Sequence, residues 1–306
     1  MIIVAGEALI DRIVQPDGRE VAVPGGGPFN TARTIGRLDG EVAFLGRLST
    51  DRSGMALRAM LAADGVDLRW IVSTDAPTTE AIAELDAHGA ASYRFQLDGT
   101  AAPGLEPADV LSALRSEPAA VHVGSLGLVA EPIASALEAG MAAIGPTTLV
   151  MVDPNCRSQA IVDREAYLGR LHRVLSRADV VKLSADDLAY IAPELSLAAA
   201  ARALLALGPI VILLTDGPRT GRVIGRRTAF DIEVPTVAVV DTVGAGDAFG
   251  GAFLVRFMER SGARAGLGDG SILRDAVAVA VAVAAETCRR TGADPPRRGE
   301  IDWPLD

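Results

Sequence analysis

The run Asp241-Thr-Val-Gly-Ala-Gly-Asp-Ala-Phe-Gly-Gly-Ala-Phe253 carries a polar, glycine-rich turn straight into an apolar stretch of helical character. Gly244, Ala245 and Gly246 have little or no side chain, so their amides can approach an oxyanion closely, and a helix starting there adds its positive dipole end. Asp247 falls in the first turn of that helix, where the dipole favours an ionised carboxylate. Phosphoryl transfer needs both parts: donors for the charge that develops, and a group that orients the attacking hydroxyl and takes its proton. A glycine-rich turn with an acidic N-cap has the same spacing. Two other chemistries are excluded. Lys182 is the only lysine of the chain and Leu183 follows it, so no Walker A motif exists. Gly244 and Gly246 are followed by Phe249 where a dinucleotide fingerprint needs its third glycine.

These residues need a frame. Apolar runs of strand length recur at Ile2 to Ala5, Val42 to Leu45, Ala119 to Val123, Thr148 to Val152, Val180 to Leu183 and Ile210 to Leu214. Helix-like stretches alternate with most of them, at Ser53 to Ala63, Glu131 to Ala143, Arg164 to Leu175 and Leu197 to Leu207. That order predicts a mostly parallel sheet covered on both faces, an α/β/α sandwich with ligands at the carboxyl ends of its strands. Asp153-Pro-Asn-Cys-Arg157 and Thr215-Asp-Gly217 each follow such a run and are expected at that edge; an arginine there can neutralise phosphate or cap a loop carbonyl. Two segments, 12–23 and about 78–100, break the rhythm with short-range alternation. The second reads as a hairpin turning at His88 and Gly89, with Tyr93, Phe95 and Leu97 alternating with Arg94 and Gln96. We expect one domain over 1–306, with these segments forming a small β lid. Ala276 to Ala285 alternates like a strand, yet its alanines favour a helix, with Gly292 as the expected stop.

A hydrophobic content of 49% supports a large core, and a net charge of −10 without a basic stripe excludes nucleic acid as partner. No apolar run reaches the roughly 20 residues a membrane helix needs. Two cysteines without ligand spacing, and a start lacking a basic region, fit a cytoplasmic enzyme with no signal peptide.

The run from Asp241 resembles the D-T-x-G-A-G-D signature of the ribokinase-like (PfkB) carbohydrate kinases. Gly25-Gly-Gly-Pro-Phe-Asn30, continuing to Gly36, Phe44-Leu-Gly-Arg47, Asp51 and Gly54, is similar to that family's N-terminal G-G-x-x-x-N block. The resemblance spans essentially the whole chain. It implies a ribokinase-like fold and an ATP-dependent sugar kinase, with Asp247 as catalytic base and Gly244, Ala245 and Gly246 as anion hole. It further implies that Asp11, Gly26, Gly27 and Asn30 hold sugar hydroxyls. A carboxylate and an amide together serve hydroxyls in both hydrogen-bonding directions. By residue type alone, Asp11 also suits a solvated strand end and Asn30 an N-cap before Thr31.

Thr215, Asp216 and Gly217 resemble the family's nucleotide contact. Lys182, Ser184 and Asp187 stand at its N-x-x-E motif, with Ser184 and Asp187 replacing the usual pair; the resemblance implies nucleotide contact there and magnesium held by Asp187 through water. Asp241 is the matching position for a monovalent cation such as potassium, and lid strands in this family pair between subunits, implying a homodimer. Asp153 to Arg157 resembles the D-P-N-x-R of the fructokinase branch, making Arg157 a substrate contact, and Gly27 stands where ribokinases carry lysine. Fructose is therefore the expected substrate, ahead of 2-keto-3-deoxygluconate, then ribose or a nucleoside; a sugar-binding regulator without catalysis is the non-enzymatic alternative. Fructose against the keto acid turns on whether Tyr93 and Phe95 or Arg94 face the sugar.

Overall fold

The computed structural model describes residues 1–15, 17–85, 91–262 and 264–304. Among the described residues thirteen strands form: β1 Ile2–Ala5, β2 Leu9–Val14, β3 Glu20–Gly25, β4 Val42–Ser49, β5 Ile71–Thr74, β6 Glu80–Leu85, β7 Ala91–Gln96, β8 Ala120–Gly124, β9 Leu149–Asp153, β10 Val180–Ser184, β11 Val211–Asp216, β12 Arg219–Gly225 and β13 Ala229–Ile232. The α-helices described with them are α1 Gly27–Arg37, α2 Arg52–Ala63, α3 Pro107–Leu114, α4 Ile133–Ala143, α5 Arg164–Arg177, α6 Ala185–Ile191, α7 Leu197–Leu207, α8 Ala245–Ser261 and α9 Gly270–Thr287.

The central sheet runs β13-β12-β11-β10-β9-β8-β1-β4-β5 and is parallel except where β11, β12 and β13 pair antiparallel. Its apolar strands are buried on both faces, and side-chain alternation divides them between two cores. Ile2 and Val4 pack with α1, α2, α8 and α9, while Ile3 and Ala5 pack with α3 to α7. The alanine-valine run of α9 is a helix, begun by the Asp269 carboxylate accepting from the Ser271 N–H. Ala276, Val277, Ala280 and Val283 make its buried stripe at helical spacing. That helix ends at Thr287 rather than at Gly292, which turns the chain five residues later at φ 70°.

A second sheet, β3-β2-β6-β7, holds the segments that broke the sequence rhythm. The turn expected at His88 and Gly89 lies outside the described residues. Register puts Asp11, Ala81 and Phe95 in one row across β2, β6 and β7, and Arg12, Ile82 and Arg94 in the next. Successive rows point to opposite faces. Phe95 packs with Leu9, Ala81 and Leu126, so the row of Asp11 faces the loops at the carboxyl edge of the central sheet. Arg94 lies on the opposite face from Phe95 and is exposed, and it is the ring of Phe95 that shares a row with Asp11. Tyr93 pairs with Ala83 through the backbone, and its side chain lies outside the described residues.

Candidate active site

Helix α8 begins where the glycine turn sets it. Gly244 is its N-cap in the left-handed region at φ 78°, and a Cβ there would stand 2.6 Å from the Ala293 side chain. Asp247 falls in the first turn and is buried. Burial drives its pKa up to about 6; the Asn30 hydrogen bond opposes the rise, Asp153 adds to it, and Lys182 and Arg157 pull back. Asn30 donates through Nδ2 to Asp247 Oδ2 at 2.9 Å. It sits inside the first turn of α1 rather than capping it, and its Oδ1 is buried with no hydrogen-bond partner. The two helices meet because Gly251 lacks a side chain; a Cβ on it would reach 2.9 Å from Thr34 Cβ.

Around Asp247 a narrow pocket is lined by Gly27, Pro28, His122, Gly124, Ser125, Asp153 and Asn155. A Cβ on Gly27 would come 3.3 Å from Ser125 Cβ and 3.4 Å from Asp247 Oδ1, so any side chain there borders the carboxylate directly. Gly26 is the N-cap of α1, at φ 108°. Ser125 and Asn155 both hold positive φ, 54° and 39°. Such backbone costs energy and gathers at functional sites. Asp11, across from Val23 in the second sheet, is raised to about 6 by burial, with Arg157 opposing. Arg157 is exposed, and its positive charge opposes the burial-driven rise of Glu7, Asp11, Asp153 and Asp247.

The residues expected at the nucleotide divide. Thr215 pairs with Ser184 at the carboxyl ends of β11 and β10, and Gly217 makes the turn into β12 at φ 57°. Asp216 is held by Arg219. Lys182 is not open to a ligand: it is buried, and its Nζ donates to Asp153 Oδ2 at 2.9 Å. Ser184 and Asp187 form a capping box that starts α6. Asp187 Oδ2 accepts from the Ser184 N–H and hydroxyl, and Oδ1 from the Cys156 N–H, so the carboxylate expected near magnesium is largely spent on the fold. Asp241 accepts from the Val243 and Gly292 N–H groups, clamping the loop before the glycine turn. Among the described residues no group of three or more His, Cys, Asp or Glu is arranged to hold a metal.

Sequence reasoning placed the run from Asp153 to Arg157 at this edge but gave a role in it to Arg157 alone, and it missed His122 and Ser125 in the pocket and Glu7 beside Ser125. Glu7 is buried at the end of β1 and pushed up to about 7 by burial, with Oε2 accepting from the Gly127 N–H. His122 is buried with neither ring nitrogen bonded, and burial, then the nearby Lys182, pushes it down to about 3. The available signal was parity: His122, Asp153 and Lys182 each interrupt an apolar strand, and all three share the alternation of residues facing α1 and α8.

Residues 1–298 match the family described as pfkB family carbohydrate kinase. A fructokinase of Klebsiella pneumoniae is 32% identical over 249 residues, covering 80% of each chain. Among solved structures, the fructokinase of Xylella fastidiosa with bound ATP is 32% identical at a TM-score of 0.87, covering 95% of this chain and 93% of that one. The fructokinase of Vibrio cholerae O395 in its fructose-, ADP- and calcium-bound form is 26% identical at a TM-score of 0.82, covering 95% and 94%.

Proposed function

Since the chain belongs to the pfkB family of carbohydrate kinases and is an ATP-dependent sugar kinase, we propose that it phosphorylates fructose with Asp247 as base. The observation that carries the choice of sugar is the row Asp11, Ala81, Phe95 on one face of the second sheet, with Arg94 on the other. A neutral ketose suits a face of one carboxylate and an aromatic ring; the carboxylate of 2-keto-3-deoxygluconate would meet Asp11 there.

Asp11, the Gly26 and Gly27 backbone and the free Oδ1 of Asn30 hold sugar hydroxyls. The acceptor hydroxyl gives its proton to Asp247 while its oxygen bonds to the γ-phosphorus, and the bond from that phosphorus to the β-γ bridging oxygen breaks, releasing ADP. Amides of the turn from Gly244 to Gly246 stabilise the charge on the transferred group, and Arg157 adds to that from the cleft. The second sheet acts as a lid that excludes water, and its edge strands β3 and β7 offer backbone for pairing with a second copy. Thr215, Asp216 and Gly217 border the nucleotide. A magnesium ion would neutralise charge on the ATP phosphates when bound, and Asp187, whose oxygens already accept from Ser184 and Cys156, is the carboxylate that would reach it through water. A potassium ion beside the Asp241 loop and a cytoplasmic location belong to the same proposal.

ADP release measured over a panel of sugars tests it. The expected result is the highest kcat/KM for fructose. A preference above about tenfold, or 1.4 kcal/mol, for 2-keto-3-deoxygluconate would overturn fructose and leave the kinase intact.

A further inference from the structure

Three neighbouring strands, β8, β9 and β10, bring a polar residue to the same face just below the glycine turn: His122, Asp153 and Lys182. Lys182 and Asp153 are 5% and 3% exposed. The Lys182 ammonium donates to Asp153 Oδ2 at 2.9 Å and stands 2.8 Å from where a Cβ on Gly246 would lie. Asp153 Oδ1 is buried without a partner and lines the same pocket as Asp247. A buried ion pair is a poor source of stability, because desolvation consumes most of the attraction. One placed directly under an anion-binding turn and a carboxylate has another use.

We propose that the Lys182–Asp153 pair is a positioning device for phosphoryl transfer, fixing the electric field at Asp247 and putting a buried positive charge beneath the glycine turn. The inference rests on Asp247 being the base. The groups bearing on Asp247 are Asn30 from α1, His122 from β8, Asp153 from β9, Arg157 from the loop beyond it, and Lys182 from β10. His122 is neutral; burial pushes the Asp153 carboxyl up, and the Lys182 ammonium bonded to it at 2.9 Å holds it ionised, so the two halves of the pair act on Asp247 in opposite senses: Asp153 raises its pKa and Lys182 lowers it. Lys182 keeps its own charge, since burial works against it but Asp153 and then Asp247 outweigh that cost.

The test measures kcat and KM from pH 5 to 9 with the best acceptor of the sugar panel, for the full chain and for Lys182→Met, Asp153→Asn, the double variant and Asp247→Asn. Removing the ammonium should move the acid limb of kcat up by about one unit, and removing the Asp153 charge should move it down. Acid limbs that stay in place, or move the same way, overturn the proposal. A lone buried charge can prevent folding of either single variant, and the double variant, which leaves none, then carries the test. Its plateau kcat should fall at least about tenfold, with the sugar KM within about threefold. A wild-type plateau there overturns the proposal. Near wild-type turnover by Asp247→Asn is a separate failure, which removes the base and the inference built on it.

Discussion

The two faces of the central sheet are alike for most of their length and differ at the carboxyl edge. Toward α1 and α8 the strands carry His122, Asp153 and Lys182 near their carboxyl ends; toward α3 to α7 the adjacent positions are Val123, Val152 and Leu183, all fully buried. The second face is a packed apolar layer and contributes stability alone. The first gives up apolar contact exactly one layer below Asp247, where a low-dielectric setting strengthens every charge it keeps. Chemistry and packing are thus separated by side-chain parity within the same strands.

Asp247→Asn breaks the first face at its centre. The amide is nearly isosteric and cannot take a proton, so kcat should fall by about 10² to 10⁴ with the fold retained. Circular dichroism and steady-state kinetics check this, and near wild-type kcat would remove Asp247 as base.

Leu183→Ala probes the second face, one residue from Lys182. Its buried side chain leaves a cavity that costs about 2–5 kcal/mol by denaturant unfolding, while kcat per folded molecule should stay within about twofold. A large loss of kcat without loss of stability would show that the faces are not separable.

Gly246→Ala sharpens the account of the turn. A methyl there points at Lys182 Nζ, 2.8 Å away. The ammonium must shift, so kcat should fall by about tenfold with little change in sugar affinity by calorimetry. A change in sugar affinity alone would contradict that geometry.

The smallest effect is on pH and stability. Glu7, Asp11 and Asp247 are raised to about 7, 6 and 6, above the values of 4.5, 3.8 and 3.8 they take when unfolded. Through these three carboxylates the folded chain binds more protons than the unfolded one, which outweighs the opposite contribution of His122, held near 3 against 6.5 when unfolded, so stability falls as pH rises through 6 to 7. Tm of the ligand-free protein should drop by a few degrees, roughly 2–6 °C, from pH 5 to 8. Asp247→Asn should flatten that slope, and an unchanged slope would mean that the first face holds its carboxylate without strain.

The sequence determined the layered α/β class, because apolar runs and helical stretches alternate along it, and it determined the glycine turn and the aspartate that follows. Less was legible at the rim: β5, β12 and β13 were not read as strands, since β12 and β13 at one end of the sheet carry charged residues among their apolar ones. Periodicity yields the parity of a residue within its own strand and says nothing about which strand lies beside it. Only the order β8, β9, β10 makes neighbours of His122, Asp153 and Lys182, and only the packing of α1 on α8 brings Asn30 to Asp247 across 217 residues of sequence. The side taken by Arg94 likewise waited on register, because alternation alone leaves both faces of a thin sheet equivalent until one of them meets the body of the protein.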